Sequence, residues 1–233
     1  MNPNAPLFLA LRRLRRHKLA MVSAGVLVTL VAIVMLAGVI EQALGVDSND
    51  VDLFNRMGTA SGEHWLGTDE LGRDVLVRLL YGGRVSLFVG LTAACVAASI
   101  GTVVGLLAGY FGGRLDAMLM RMTDAVLALP GLPLLIVLAA LDLGKLGLPD
   151  AMVQSENVSF FRIVIIVAIL GWTTVARLVR GAALSIKEQD FILAAEGAGS
   201  SHARIMFRHI LPNLVSPIIV AVTLAVWNVI LLE

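Results

Sequence analysis

The chain has 233 residues, of which 58% are hydrophobic and 15% charged, with a mean hydropathy of +0.88; that balance excludes an ordinary soluble domain and implies an integral membrane protein. The formal net charge of +1 decides nothing by itself, because in a membrane protein the placement of Lys and Arg carries the topological information. A lone cysteine, Cys95, lies inside an apolar run and cannot form an intramolecular disulfide, so cysteine content does not identify the redox compartment.

The N-terminal residues 1–18 carry Arg12, Arg13, Arg15, Arg16 and Lys18 just before an apolar segment at about 19–40. The positive-inside bias keeps such a cluster in the cytoplasm. The apolar run exceeds the roughly 7–15 residues of a signal-peptide core, so an uncleaved first membrane helix is expected over 19–40. A nucleic-acid or calmodulin-type patch is the competing reading of the basic cluster. Anchoring to the membrane surface beside a spanning helix explains it better, and no nucleic-acid partner is expected.

Residues 41–84 are polar and acidic at first, and contain the stretch HWLGTDELGRDVLVR from His64 to Arg78. Gly67, Thr68 and Asp69 predict a turn and a helix cap, after which Leu71, Val75, Leu76 and Leu79 recur at a helical period. The segment is expected to be an external loop with an amphipathic helix leading into the next span. Asp69, Glu70, Arg73 and Asp74 fit either a solvated face with local charge pairs or a binding role. His17, His64, His202 and His209 are scattered along the chain, and no ordered ligand spacing such as HExxH is present, so no metal site is expected.

A second span is expected over about 85–110, with Gly101, Gly105 and Gly109 at a strict four-residue interval that permits close helix packing, within the chain or with a partner. After a short turn at 111–114, a third span runs over about 115–141, where Pro130 and Pro133 should kink it. Asp116, Arg121 and Asp124 lie near its start; Arg121 and Asp124 have the spacing of an ion pair, which is either structural or part of a lined pathway. A short polar loop at 142–159 precedes a fourth span, about 160–178, containing Trp172. Asp124, Trp172 and Asn228 are the candidate translocation-path residues.

Between the fourth span and a fifth, at about 214–232, lies the polar, glycine-broken insertion at 187–213. Asp190 has the character of an N-cap for a short helix whose Phe191, Ala194, Ala195 and Ala198 recur at i, i+3, i+4 and i+7. That face is small and apolar, suited to close approach by another protein. Gly197 and Gly199 should end the helix in a tight turn. Ser200 or Ser201 can cap a second short helix with Arg204 and Arg208 on one face and Ile205 as an apolar contact, and Pro212 should then reset the chain. Four crossings put this insertion on the same side as the N-terminus. Twelve of the eighteen Lys and Arg then fall in cytoplasmic segments or at the cytoplasmic ends of spans, which supports that orientation.

Ala194, Ala195, Gly199, Leu211 and Pro212 resemble the EAA loop of ABC-importer permeases, the cytoplasmic loop by which the membrane subunit docks on its ATPase. Leu193 stands where that pattern has a leading Glu, and His209 stands in place of an apolar residue. The run from Leu66 to Arg78, followed by Tyr81, Gly82, Gly83, Arg84, Val85, Ser86 and Leu87, is similar to a pattern of the second permease subunit of dipeptide, oligopeptide and nickel importers, with Val77 in place of a Ser. The resemblance implies an all-α polytopic membrane protein of the type I ABC-importer permease fold, with helices 2 to 5 of the transmembrane domain in 85–233 and five of an expected six membrane helices within the chain. It also implies alternating access, a heterodimer with a second homologous permease, two ATP-binding cassette subunits that hold ATP and Mg, an external solute-binding protein, and the plasma membrane of a prokaryote. No cofactor is expected in this chain, which lacks a GxxxxGK[ST] phosphate loop. An ion-coupled or stand-alone transporter is the alternative, but no repeat and no deeply placed acid other than Asp124 supports it. A membrane enzyme would need a nucleophile or a ligand cluster, and neither stands out. Because members of the family usually continue through one more helix, a truncated and inactive permease is a further alternative.

Overall fold

A computed structural model describes residues 17–140 and 156–232. The first basic residues and the 142–155 part of the polar loop therefore lie outside the described residues. Among those described, every element is helical, and the two residues of Thr68 and Asp74 form only an isolated bridge. The chain divides into two compact units, one ending at Val85 and the other beginning at Ser86.

The first unit begins with α1, Lys18–Met35, whose side chains are apolar around the whole circumference and leave none buried. A helix of 18 residues is about 27 Å long, close to the hydrocarbon thickness of a bilayer. It breaks at Leu36 and continues as α2, Ala37–Leu44, so the helical run passes the boundary expected at residue 40. Gly45, at φ 67°, closes α2: its N–H donates to Gln42 O, and the Val46 N–H donates to Glu41 O. A left-handed residue at this position favours glycine because it has no Cβ to clash.

The predicted amphipathic helix before the second span does not exist separately. One helix, α3, runs Val75–Phe111 for 37 residues, about 55 Å, longer than the bilayer core alone requires. Asp74 caps it by accepting the Val77 N–H at 2.9 Å. Leu71 precedes the helix, Leu79 is exposed, and the buried positions are Val77 and Leu80. The period was misphased because apolar residues occur on nearly every side of this helix.

In the second unit, Gly112 and Gly113, both at positive φ, turn the chain from α3 into α4, Gly113–Leu127. The expected third span is interrupted: α4 stops before Pro130, and α5 resumes over Gly131–Ala140 with Pro133 in its first turn, where a missing N–H is tolerated. α6 runs Glu156–Lys187, and α7 is Asp190–Gly197. α8 then enters at His202–Arg204, widens into a π turn over Ile205–Ile210, and continues as Leu211–Leu232. Four described helices are long and apolar enough to cross a membrane: Lys18–Met35, Val75–Phe111, Phe160–Lys187 and His202–Trp227.

The glycine stripe meets α6. A Cβ on Gly101 would stand 2.6 Å from Trp172 O, one on Gly105 2.5 Å from Ala176 O, and one on Gly109 2.9 Å from Arg180 O. Side chains at these positions would force the helices apart, so the stripe is a backbone-to-backbone seam. The contacts rise together along both helices, so α3 and α6 run parallel. The expected third span lies between these two parallel helices, and among the described residues neither α4 nor α5 alone has the length of a span.

Candidate functional site

The second unit's core lies where α3, α6, α7 and α8 converge, with Tyr110, Val179, Ile192, Ile205, Ile210 and Leu214 among its buried residues. Ile192 is 0% exposed. It is the one residue of α7 that is fully buried, worth about 1.5–3 kcal/mol by its apolar area. The sequence pattern does not single out Ile192, because one large apolar residue in an eight-residue helix sets up no period.

With Ile192 inward, the other α7 side chains follow. Phe191, Leu193, Ala194 and Ala198 are exposed, whereas Ala195 is half-buried against the core. The expected four-residue face is therefore split: Phe191, Ala194 and Ala198 share the exposed stripe, and Ala195 belongs to the inner side. Asp190 is not the N-cap. Gln189 holds that position in extended backbone and makes no side-chain cap, while Asp190 is the first helical residue, where a carboxylate complements the helix dipole.

The turn after α7 has two closing bonds, Gly199 N–H to Glu196 O at 2.9 Å and Ser200 N–H to Ala195 O at 3.1 Å, with Gly199 at φ 76°. This is a Schellman closure, which satisfies carbonyls that the helix end would otherwise leave open. Ser201, not Ser200, caps the next helix by accepting the Arg204 N–H. Arg204, Arg208 and Phe207 are exposed, and Ile205 is buried. Phe207 has apolar partners at i+3 and i+4, Ile210 and Leu211, so its spacing alone reads as an inward-facing position.

Pro212 does not reset the chain. Leu211 is only partly exposed and Pro212 is exposed, and both lie at the start of a continuing helix. Proline cannot donate to the carbonyl four residues back and crowds it; the preceding turn widens into the π pattern at Ile205–Ile210. The Asn213 side-chain amide donates to His209 O at 2.7 Å. The second arm of the insertion is thus continuous with a spanning helix.

The charges of α4 pair across helices. Asp124 binds Arg177 at 2.5 Å, not Arg121, and Asp116 binds Arg180 through two contacts, one of them at 2.6 Å. The long arginines of α6 reach both acids, whereas local spacing had suggested an i, i+3 pair. Trp172 is half-buried on α6, about one and a half turns before Arg177. The Asn228 side chain lies outside the described residues.

In the first unit, the HWLGTDELGRDVLVR stretch binds chiefly to itself. Asp74 is 1% exposed and joins its helix cap to His64 Nδ1 at 2.9 Å. Thr68 accepts the Gly58 N–H and donates to Asn55 O. Asp69 accepts the Leu71 and Arg73 N–H groups and pairs with Arg73 and Arg78. Burial alone would raise the Asp69 pKa, but the Arg73 and Leu71 N–H groups and the Arg73 guanidinium outweigh it and hold the carboxyl below its ordinary value. Glu41 is also held low, chiefly by the Tyr81 hydroxyl at 2.6 Å and then by the Ser48 N–H. Of the two readings for the charged stretch, this geometry is the local, self-paired one.

Parallel spanning helices sealed by glycine, with a short helix presented on a rigid turn between two of them, describe a polytopic α-helical membrane permease. Residues 101–233 match the family described as binding-protein-dependent transport system inner membrane component, and the chain belongs to that family. Residues 6–52 match the N-terminal transmembrane domain of oligopeptide transport permease C. The oligopeptide transport system permease protein OppC of Bacillus subtilis is 37% identical over 96% of this chain and 68% of its own length. The dipeptide transport system permease protein DppC of Alkalihalophilus pseudofirmus is 36% identical over 95% and 67%, respectively. OppC of Haemophilus influenzae is 33% identical over 96% and 67%. The chain thus spans about two thirds of the length of these relatives. Membership makes it a multi-pass membrane subunit of an importer that works with other subunits, in place of the stand-alone transporter and membrane-enzyme readings.

Proposed function

We propose that this chain is one of two homologous permease subunits of an ATP-driven peptide importer, and that it docks its ATPase through the 187–213 insertion. The observation that carries the docking is the exposed stripe of Phe191, Ala194 and Ala198 on a helix anchored underneath by buried Ile192. Small side chains there allow a partner's surface to come close, while Phe191, Leu193 and Phe207 supply exposed apolar area and Arg204 and Arg208 a charged border. The names of the relatives, oligopeptide and dipeptide permeases, favour peptides over nickel as cargo.

In this reading the N-terminus and the insertion lie in the cytoplasm of a prokaryote, and a solute-binding protein delivers the substrate from outside. Two ATPase subunits bind ATP and Mg and close; the insertion moves with them. Docking transmits work only if the insertion binds the ATPase differently in the two states. The closed turn at Gly199 and the uninterrupted helix after Ser201 suit such transmission. Asp124, Trp172 and Asn228 are the path candidates.

The test is co-purification in mild detergent from the native membrane, for the parent chain and for an Ala194→Asp variant. Ala194 is preferred to half-buried Ala195 because it changes only the exposed stripe. Recovery of an ATPase and a second permease with the parent, and a loss of ATPase recovery of about tenfold or more in the variant, is expected. Isolation of the inserted parent chain alone would overturn the assignment.

A further inference from the structure

Where the insertion leaves α6 and enters α8, three helices meet at one residue. The Tyr110 hydroxyl, near the end of α3, lies 2.7 Å from His202 Nδ1 at the first residue of α8, and the two rings meet edge to face with centroids 5.6 Å apart. With the imidazole neutral and its proton on Nε2, the tyrosine O–H donates to Nδ1. Lys187, the last residue of α6, donates through Nζ to Tyr110 O at 2.7 Å and stands 5.5 Å from the centre of the same ring. Phe111 lies beside both rings, 5.1 Å from Tyr110 and 6.0 Å from His202. Tyr110 itself is 3% exposed.

Both ends of the 188–201 segment are therefore pinned to one buried residue of α3. Just before that residue, Gly105 and Gly109 press against the backbone of α6. Ile192 also holds α7 in this core, by apolar packing that has no preferred direction. The directional links at Lys187 and at His202 fix both ends of the segment, so a displacement of α7 passes to the α3–α6 seam. We propose that Tyr110 and His202 are positioning residues that couple the insertion to the glycine-sealed helix pair, so that a nucleotide-driven movement of α7 reaches the membrane helices. This rests on the reading that an ATPase docks on the insertion.

The test uses the co-purified complex and measures hydrogen–deuterium exchange with and without ATP–vanadate, in residues 190–199 and in residues 103–111, for the parent, Tyr110→Phe, His202→Ala and His202→Asn. Asparagine keeps an acceptor near the position of Nδ1. In the parent, both segments should respond to the trapped nucleotide. In Tyr110→Phe and His202→Ala, ATPase recovery and the response of 190–199 should persist while the response of 103–111 falls about threefold or more; His202→Asn should restore it. A merely structural brace would leave the propagated response unchanged.

An undiminished response of 103–111 in both variants, or its absence in the parent, would overturn the proposal. So would loss of the ATPase from Tyr110→Phe, which would make the pair part of docking itself. If Tyr110→Phe does not accumulate, the contrast between His202→Ala and His202→Asn decides. Failure of the parent to retain any ATPase would instead overturn the docking reading, a separate result.

Discussion

Two polar, turn-rich segments interrupt the apolar helices, residues 45–74 and residues 188–201, and they are held in place in different ways. In the first, Thr68, Asp69 and Asp74 are occupied by neighbours within the same unit. In the second, one apolar residue, Ile192, and one Schellman turn hold the backbone, and Phe191, Leu193, Ala194 and Ala198 remain exposed. The first segment also exposes Phe54 and Trp65, so what separates the two is the scaffold, a polar network in one and a few buried contacts in the other, with the exposed Phe191, Ala194 and Ala198 of the second sharing one helical stripe.

The largest effect expected from breaking this contrast is at Asp74. Asp74→Ala removes the cap of α3 and the partner of His64 at a buried site, and should cost the first unit about 2–3 kcal/mol. Thermal unfolding in detergent and protease cleavage within 45–74 would measure it, and ATPase co-purification should fall far less than in Ala194→Asp. Equal loss of both would erase the distinction between the two segments.

A smaller effect is expected at Gly199. Gly199→Val places a β-branched residue at φ 76°, which should cost about 1–3 kcal/mol of local strain although no atom lies within contact of the added Cβ. Membrane insertion should persist and ATPase recovery should weaken, as read by co-purification. Normal recovery would show that the turn does not set the docking geometry.

The smallest effect is a pH dependence confined to the first unit. Asp69 and Glu41 have pKa values lowered in the folded chain, so their stabilisation is complete above the unfolded-state pKa and is lost as pH falls through the folded value, below about pH 4. Proteolysis of 45–74 should rise in that range, and Glu41→Gln should flatten the rise. Unchanged cleavage down to pH 3, a value chosen about one unit below the ordinary carboxylate range, would count against these two groups.

Several features were legible because they depend on local chemistry. The membrane class follows from composition, the turn at 197–199 from glycines that tolerate positive φ, with Gly199 the one that adopts it, and a serine cap from side chains at 200 and 201, between which the structure chooses Ser201. Expectation and structure part where the local sequence allows more than one arrangement. Gln189 displaced Asp190 as the N-cap, the helix continued through Pro212 by widening before it, and the external amphipathic helix merged into α3.

The sequence by itself determined the helical class and the places where small residues permit close approach, because hydropathy and backbone sterics act over a few residues. Tertiary structure alone decided what those places meet. Gly101, Gly105 and Gly109 could have sealed any helix, and it was packing that set them on α6. Asp124 could have paired with Arg121 at short range, but the converging helices brought Arg177 to it across 53 residues of chain. Ile192 is buried among residues of α3, α6 and α8, and with that residue inward Phe191, Ala194 and Ala198 are left exposed.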